Sequence, residues 1–490
     1  MVIENREELS KDPATTIVTS DEQRTSNGNH RPERPAKNQQ WQSSTQATSN
    51  GSCVTSRVAF HTLGCKVNQF DTSGLITKFR EQGYEIVDFK EPADIYIINT
   101  CTVTKTAEQK ARQLIRKVKR EQPGAWVVVT GCYAQTKAKA LAKMPEIDLL
   151  VGVAGRSNLV DLVEEQSLWK KNKVIPWGSC NQFEIFTPEY TGKTRAFLKI
   201  EDGCESYCSY CKIPFARGPI RSLPPEQVKA EIRRMLELGY KEIVLVGIHL
   251  GEYGKDLDTD LATLLTEIES EWRGEKQGEW RLRLGSIEPR DFTPLLMQVL
   301  HSSRLICNHL HIPLQSGSGT VLSRMNRRYS PDDYAGLISM LRKGIPRLAL
   351  TTDVMVGFPG ETEEEFTETL NFIKAIGFSR IHIFPYSIRE GTKAARMDGQ
   401  LSRKTKEERV RQTEVIAEEL AKEYRLKFSG EIVEVLLEET NLRGYWDGLS
   451  REYLRIQVKG DWHANTILQV LVTTPETEPL VGKVVKTGDI

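Results

Sequence analysis

What the chain lacks bounds it first. None of its apolar runs approaches the roughly 18 to 20 residues that a bilayer-spanning helix requires, and mean hydropathy is −0.42, so no membrane partner is expected. Charge of either sign is not in excess: 67 Lys and Arg face 66 Asp and Glu over 490 residues, leaving +1. Any nucleic-acid footprint must then be a local basic patch. The first 56 residues hold six basic and seven acidic side chains and no apolar stretch, which fits neither a secretory signal nor an acid-poor transit peptide. A cytoplasmic protein is expected. A disulfide framework is also disfavoured, because nine cysteines, an odd number without an export signal, fit thiolate ligands or free thiols better.

What is present begins with a polar leader. Only ten of the first fifty residues are hydrophobic, too few to offset ordering entropy, so residues 1–55 read as a disordered leader. From Arg57 strands alternate with helices: strands over 57–62, 94–99, 125–130 and 148–151, helices over 71–82, 108–121 and 137–143. This pattern implies an N-terminal doubly wound parallel-sheet α/β domain over 56–176. A linker over 177–193 follows. Six further strands, over 196–201, 242–246, 281–284, 309–314, 350–356 and 380–384, are interleaved with helices such as 225–238 and 363–376. They imply a partial (βα)6 barrel over 194–428, with its chemistry at the C-terminal ends of the strands. A charged helix over 404–427 precedes short alternating runs at 432–437, 453–458, 467–472 and 484–485, which imply a small all-β barrel over 429–490.

The cysteines fall into two sets. Cys204, Cys208 and Cys211 are spaced Cys-x3-Cys-x2-Cys directly after the first barrel strand. Three thiolates on one loop can hold three irons of a 4Fe-4S cluster and leave the fourth open to a small molecule. Zinc is the rival, but a structural zinc site wants four ligands, and neither Cys nor His follows nearby as the fourth. Cys65, Cys101 and Cys132 are 36 and 31 residues apart, yet each directly follows a strand, in Thr62-Leu63-Gly64-Cys65, Asn99-Thr100-Cys101 and Thr130-Gly131-Cys132. Strand carboxyl ends of an open parallel sheet converge on one crevice, so these thiols either meet as a second ligand set or serve as small buried hydrophobes. Cys53, Cys180 and Cys307 share no pattern and read as free or buried thiols.

The motif with Tyr210 before the last cysteine resembles the radical S-adenosylmethionine (SAM) signature. With the upstream thiols and the downstream β module, the chain from 57 to 490 resembles the methylthiotransferases. Thr62-Leu63-Gly64-Cys65-Lys66-Val67-Asn68-Gln69, Pro214-Phe215-Ala216-Arg217-Gly218 and Arg324-Met325-Asn326-Arg327-Arg328-Tyr329 resemble the bacterial branch that modifies N6-threonylcarbamoyladenosine in tRNA. The resemblance implies a methylthio group placed on C2 of that nucleoside, 3′-adjacent to the anticodon. It implies two 4Fe-4S clusters as well, one on Cys204, Cys208 and Cys211 that chelates SAM, and one on Cys65, Cys101 and Cys132 that carries the added sulfur. It further implies an electron donor such as flavodoxin or ferredoxin and a sulfur donor. The hard chemistry belongs to these cofactors.

Tyr210, Gly247, His249, Glu288 and Gln315, near successive strand ends, are candidates for the SAM pocket, although His311 in the run that holds Gln315 can equally be a satisfied core histidine. Lys110, Arg112, Arg116 and Lys117 on the helix after Cys101, with Arg327 and Arg328, are candidates for RNA phosphate contact. The C-terminal module resembles the TRAM module, yet residues 430–490 carry six basic against ten acidic side chains. Its RNA contacts would therefore rest on stacking through Tyr445, Trp446 or Tyr453 or on a small basic face. Two other functions stay open: methylthiolation of isopentenyladenosine or of a ribosomal-protein side chain, and a non-catalytic iron-sulfur or zinc RNA-binding protein.

Overall fold

The structure, a computed structural model, describes residues 46–47, 53–54, 56–165, 183–186, 188, 194–272, 279–441 and 444–485. The leader, apart from a ladder pairing Gln46–Ala47 with Cys53–Val54, lies outside the described residues, as do most of the linker and Cys180. Two compact units are present, one within 56–165 (without 103–105) joined by Phe186 and Pro188, the other spanning 194–485 with 103–105 and 183–185. Among the described residues no helix is long and apolar enough to cross a membrane.

The first unit is a five-stranded parallel sheet. Strands β1 (Arg57–Thr62), β2 (Glu85–Val87), β3 (Ile95–Thr100), β4 (Trp126–Gly131) and β5 (Leu149–Leu150) run in the order β2-β1-β3-β4-β5. Every residue of β3 is buried, as its unbroken Ile-Tyr-Ile-Ile run demands of a central parallel strand. Helix α1 (Lys66–Glu81) begins five residues before the expected start. Its first turn is polar, and Asn68 is buried there because its amide donates to Leu63 O and Thr100 O. The helix α2 (Lys105–Glu121) follows β3, and β2, at three residues too short to stand out in the sequence, pairs with β1.

In the second unit β6 (Arg195–Lys199), β7 (Glu242–Val246), β8 (Arg281–Leu284), β9 (His309–His311), β10 (Ala349–Val356) and β11 (Arg380–Pro385) form two three-stranded parallel sheets, β8-β7-β6 and β9-β10-β11. Parallel bridges Leu282–Ile306 and Ser286–His311 join them, giving the six-stranded partial barrel. Helices α3 (Pro225–Glu237), α4 (Leu261–Glu271) and α5 (Pro294–Ser302) lie between these strands. Capping explains the helix boundaries: α6 (Pro331–Gly344) and α7 (Glu363–Ile376) each start on a reciprocal capping box, Ser330 with Asp333 and Thr362 with Glu365.

Helix α8 (Arg403–Leu426) leads to β12 (Ile432–Thr440), β13 (Tyr445–Ser450), β14 (Arg455–Lys459), β15 (Ile467–Thr474) and β16 (Leu480–Val484), which close as β12-β13-β14-β16-β15. The sequence hides β13 because Asp447 and Gly448 read as a turn. Gly448 is instead a packing requirement, since a Cβ there would fall 2.5 Å from Val435 Cγ1.

This module sits on the N-terminal ends of the barrel strands through buried charge. Arg281 and Arg283 alternate with Leu282 and Leu284 on β8, so one strand face is cationic. Their guanidinium groups donate to Leu449 O at 2.7 Å and Ser450 O at 3.0 Å. Both also bind the Glu242 carboxylate, at 2.7 and 2.9 Å. Burial opposes charge on Glu242, but Arg283 and Arg281 outweigh it and bring its pKa down to about 2. Beside them Tyr453 stacks on His309, ring centroids 4.0 Å apart. Tyr453 is thus committed to the barrel and not free to stack on RNA, a correction to the sequence reading; Trp446 is packed against the module's core.

Candidate active site

The loop after β6 is shaped before it is functional. Glu201–Asp202 pairs antiparallel with Arg221–Ser222, and buried Asp202 receives Arg217 at 2.9 Å and Lys199 at 3.2 Å. Gly203 between them has φ +114°, and a Cβ there would lie 2.0 Å from Pro219 O, so only glycine lets the chain turn into Cys204.

Each of the three sulfurs that follow has a nitrogen beside it. Ile213 N–H donates to Cys211 Sγ at 3.4 Å, Arg327 Nη1 to Cys208 Sγ at 3.3 Å, and His249 Nδ1 lies 3.7 Å from Cys204 Sγ. Burial and the neighbouring Cys208 and Cys204 push the Cys211 thiol well above its usual range. Three thiolates this close oppose one another unless a polycationic group neutralises them. The trio, partly open to solvent and ringed by N–H donors, therefore fits a cluster that leaves one metal position free.

The residues expected around SAM are at this end of the barrel. His249 Nε2 lies 2.8 Å from Asp291 Oδ2 and its Nδ1 3.2 Å from Ser206 Oγ; burial lowers its pKa, but Asp291 and Cys204 more than offset that and push it up to about 11. Gly247 leaves room for Glu201, whose Oε2 would be 2.6 Å from an added Cβ and which accepts the His249 N–H at 2.6 Å. Glu201 is fully buried and its Oε1 has no partner among the described residues. Tyr210 packs edge-on to Phe358. Gln315, at φ +64°, ties β9 to β10 through its backbone. Glu288 pairs with Arg327 at 2.5 Å.

The first unit holds the other trio. Thr62 pairs with Asn99 and Thr100 with Gly131, so Cys65, Cys101 and Cys132 leave the same end of three adjacent strands. The loop bearing Cys65 lies directly on Cys101: a Cβ at Gly64 (φ +115°) would be 3.1 Å from Cys101 Sγ. Cys101 and Cys132 are buried and Cys65 exposed. Beneath them Thr100 donates to Thr130 O at 2.6 Å and Asn99 to Asn68 O at 3.1 Å, fixing the strand ends that carry the thiols.

Comparison with known proteins decides the family. Residues 57–152 match the family described as "Uncharacterized protein family UPF0004" and residues 198–373 the Radical SAM superfamily. The "Threonylcarbamoyladenosine tRNA methylthiotransferase MtaB" of Bacillus subtilis (strain 168) is 43% identical over 440 residues, 88% of this chain and 92% of the relative. The chain belongs to the threonylcarbamoyladenosine tRNA methylthiotransferase family. The protein of the same name from Aquifex aeolicus (strain VF5) is 38% identical over 85% of this chain and the whole of the relative. A "tRNA-2-methylthio-N(6)-dimethylallyladenosine synthase" of Bacillus licheniformis is 34% identical over 86% of this chain and 85% of the relative. Among solved structures, the radical SAM methyltransferase TsrM from Kitasatospora setae, with cobalamin and a [4Fe-4S] cluster bound, shares the fold at TM-score 0.55 and 15% identity, covering 70% of this chain and 77% of that one.

The basic residues expected at RNA divide sharply. Arg327 is corrected: its side chain is 5% exposed and occupied by Cys208 and Glu288, so it serves the thiol loop and cannot reach a phosphate. Arg112 donates to Tyr133 Oη at 2.5 Å and Arg116 pairs with Glu146 at 3.6 Å. Lys110, Lys117 and Arg328 are exposed. Sequence reasoning missed Glu201, Asp291 and the true place of Arg327, and it had no signal for them, because a charge is legible in a sequence while its burial is not.

Proposed function

We propose that this protein is a tRNA methylthiotransferase that places a methylthio group on C2 of N6-threonylcarbamoyladenosine 3′-adjacent to the anticodon. The observation that carries the reading is 43% identity over 88% of the chain to a relative of that name, together with two cysteine trios, each set at the C-terminal ends of parallel strands. When bound, a 4Fe-4S cluster on Cys204, Cys208 and Cys211 supplies reductive cleavage of SAM, and a second on Cys65, Cys101 and Cys132 supplies the sulfur. The chain's own part is to hold each cluster by three thiolates, to present N–H donors to Cys204, Cys208 and Cys211, and to line the barrel mouth with Tyr210, Gly247, His249, Glu288 and Gln315. Electrons come from a flavodoxin or ferredoxin and sulfur from a separate donor.

The test is nucleoside mass spectrometry of tRNA from cells lacking the gene and from cells with it restored. The 2-methylthio form of threonylcarbamoyladenosine should vanish and return, while other methylthio nucleosides stay constant. Loss of the isopentenyladenosine product instead would move the protein to the branch of its 34% identical relative from Bacillus licheniformis. In vitro, a Cys65→Ala, Cys101→Ala, Cys132→Ala variant should still cleave SAM and make no methylthio product; full methylthiolation would end the sulfur-carrier assignment.

A further inference from the structure

The inner face of β9, β10 and β11 holds donors that the thiol site does not use. Alternation puts Ile381 and Ile383 toward α8, where both line a cavity with Ala417 and Ala421, so His382 and Phe384 face the barrel interior. These two are 45% and 43% exposed; the interior is open there. Asp353 is the register partner of His382, and His311 is that of Thr351, two residues before Asp353. Three neighbouring strands thus converge on one point.

The separations are informative. His311 Nε2 lies 3.4 Å from Asp353 Oδ2, and His382 Nδ1 lies 3.3 Å from the other carboxylate oxygen, Asp353 Oδ1; one ligand atom from each of the three residues lies within 4.8 Å of the others. A direct N–H···O bond would be about 2.9 Å, whereas two ligands held at about 2.0 to 2.1 Å by one tetrahedral ion lie about 3.3 Å apart. The remaining nitrogen of His311 is already engaged: Nδ1 is 2.9 Å from Thr351 Oγ1, which is 3.0 Å from His309 Nε2. His309 in turn is held by Tyr453. Such an outer hydrogen bond is what orients a metal-binding imidazole.

We propose that His311, Asp353 and His382 bind one divalent transition-metal ion of the zinc, cobalt or ferrous class on the inner face of the barrel. Two imidazoles and one carboxylate suit such ions and exclude calcium and magnesium, which want oxygen sets. The free coordination positions open on the His382 side and take oxygen ligands. The comparable group of His249, Glu252 and Asp291 is not a second candidate, because His249 already serves the Cys204 loop.

The test uses cluster-loaded, oxidised protein, in which the six thiols are occupied and the clusters are silent in electron paramagnetic resonance. Co2+ is titrated into wild type, Asp353→Asn and His382→Gln, with bound cobalt counted after dialysis and the high-spin Co2+ signal recorded. Wild type should take up one tight Co2+ and melt at higher temperature with it; both variants, with unchanged iron and sulfide, should lose the signal and the shift. His382 is at an open position, so its variant keeps the fold even if Asp353→Asn does not. Equal cobalt uptake by wild type and His382→Gln, or none by either, would overturn the proposal and leave an imidazole–carboxylate ion pair.

Discussion

Arg327 shows how one side chain changes meaning between sequence and structure. In the run Arg324-Met325-Asn326-Arg327-Arg328-Tyr329 it is one cation among several; in space it is the one donating to Cys208 Sγ at 3.3 Å while held by Glu288 and Tyr329. A fixed positive charge beside a cluster ligand favours the reduced, more negative cluster. Arg327→Gln should therefore lower the midpoint potential of the 4Fe-4S cluster proposed on Cys204, Cys208 and Cys211 by about 50 mV or more, near one factor of ten in a one-electron equilibrium. A redox titration followed by electron paramagnetic resonance reads this. An unchanged potential with slower SAM cleavage would instead give Arg327 a substrate contact. Arg328, next in sequence and exposed, should leave the potential unmoved when changed to Gln.

At the scale of elements the decisive contact is between β7, β8 and the module. Glu242 is the only carboxylate in hydrogen-bonding reach of both buried arginines of β8 among the described residues. Glu242→Gln leaves two guanidinium groups buried with half their compensation, and removing one partner of a buried ion pair costs about 3 to 5 kcal/mol; denaturant unfolding at neutral pH should show it. The pH dependence has a definite sign. The folded pKa, about 2, lies below the ordinary 4.5, so the ionised carboxylate stabilises the fold fully above pH 4.5 and that contribution is lost as pH falls toward 2. The Gln variant should lack this part of the acid sensitivity.

The same elements mark what the sequence could and could not reveal. Strands β7 and β8 coincide with the expected 242–246 and 281–284, and helix 363–376 with α7, because apolar periodicity and capping residues are local signals. Both cysteine trios were legible too, since Cys204, Cys208 and Cys211 are closely spaced on one loop and Cys65, Cys101 and Cys132 each come just after a strand. The polar lining of the barrel was not. Arg281-Leu282-Arg283-Leu284 and His309-Leu310-His311 read as half-exposed strands, yet their polar faces are turned inward and satisfied by residues about 40 to 170 positions away. Alternation gives the face; only the fold says which face is inside.

For the molecule as a whole, +1 net charge means that affinity for tRNA cannot come from a global field. Among the cations expected at RNA, Arg327 is buried, Arg112 donates to Tyr133, Arg116 is exposed but paired with Glu146, and Lys110, Lys117 and Arg328 are exposed. Three phosphate contacts release few counterions, so the logarithm of the tRNA association constant should fall with the logarithm of salt at a slope of about −2 to −3. Lys110→Glu with Lys117→Glu should reduce that slope by about 1 to 2 and weaken tRNA binding, without altering SAM cleavage in the absence of tRNA, because both lysines belong to the first unit and the Cys204 loop to the second. Filter binding across a salt series measures both. A slope far steeper than −3 would place the phosphate contacts on other cations of the chain, and an unchanged slope in the double variant would remove the α2 face from the RNA interface.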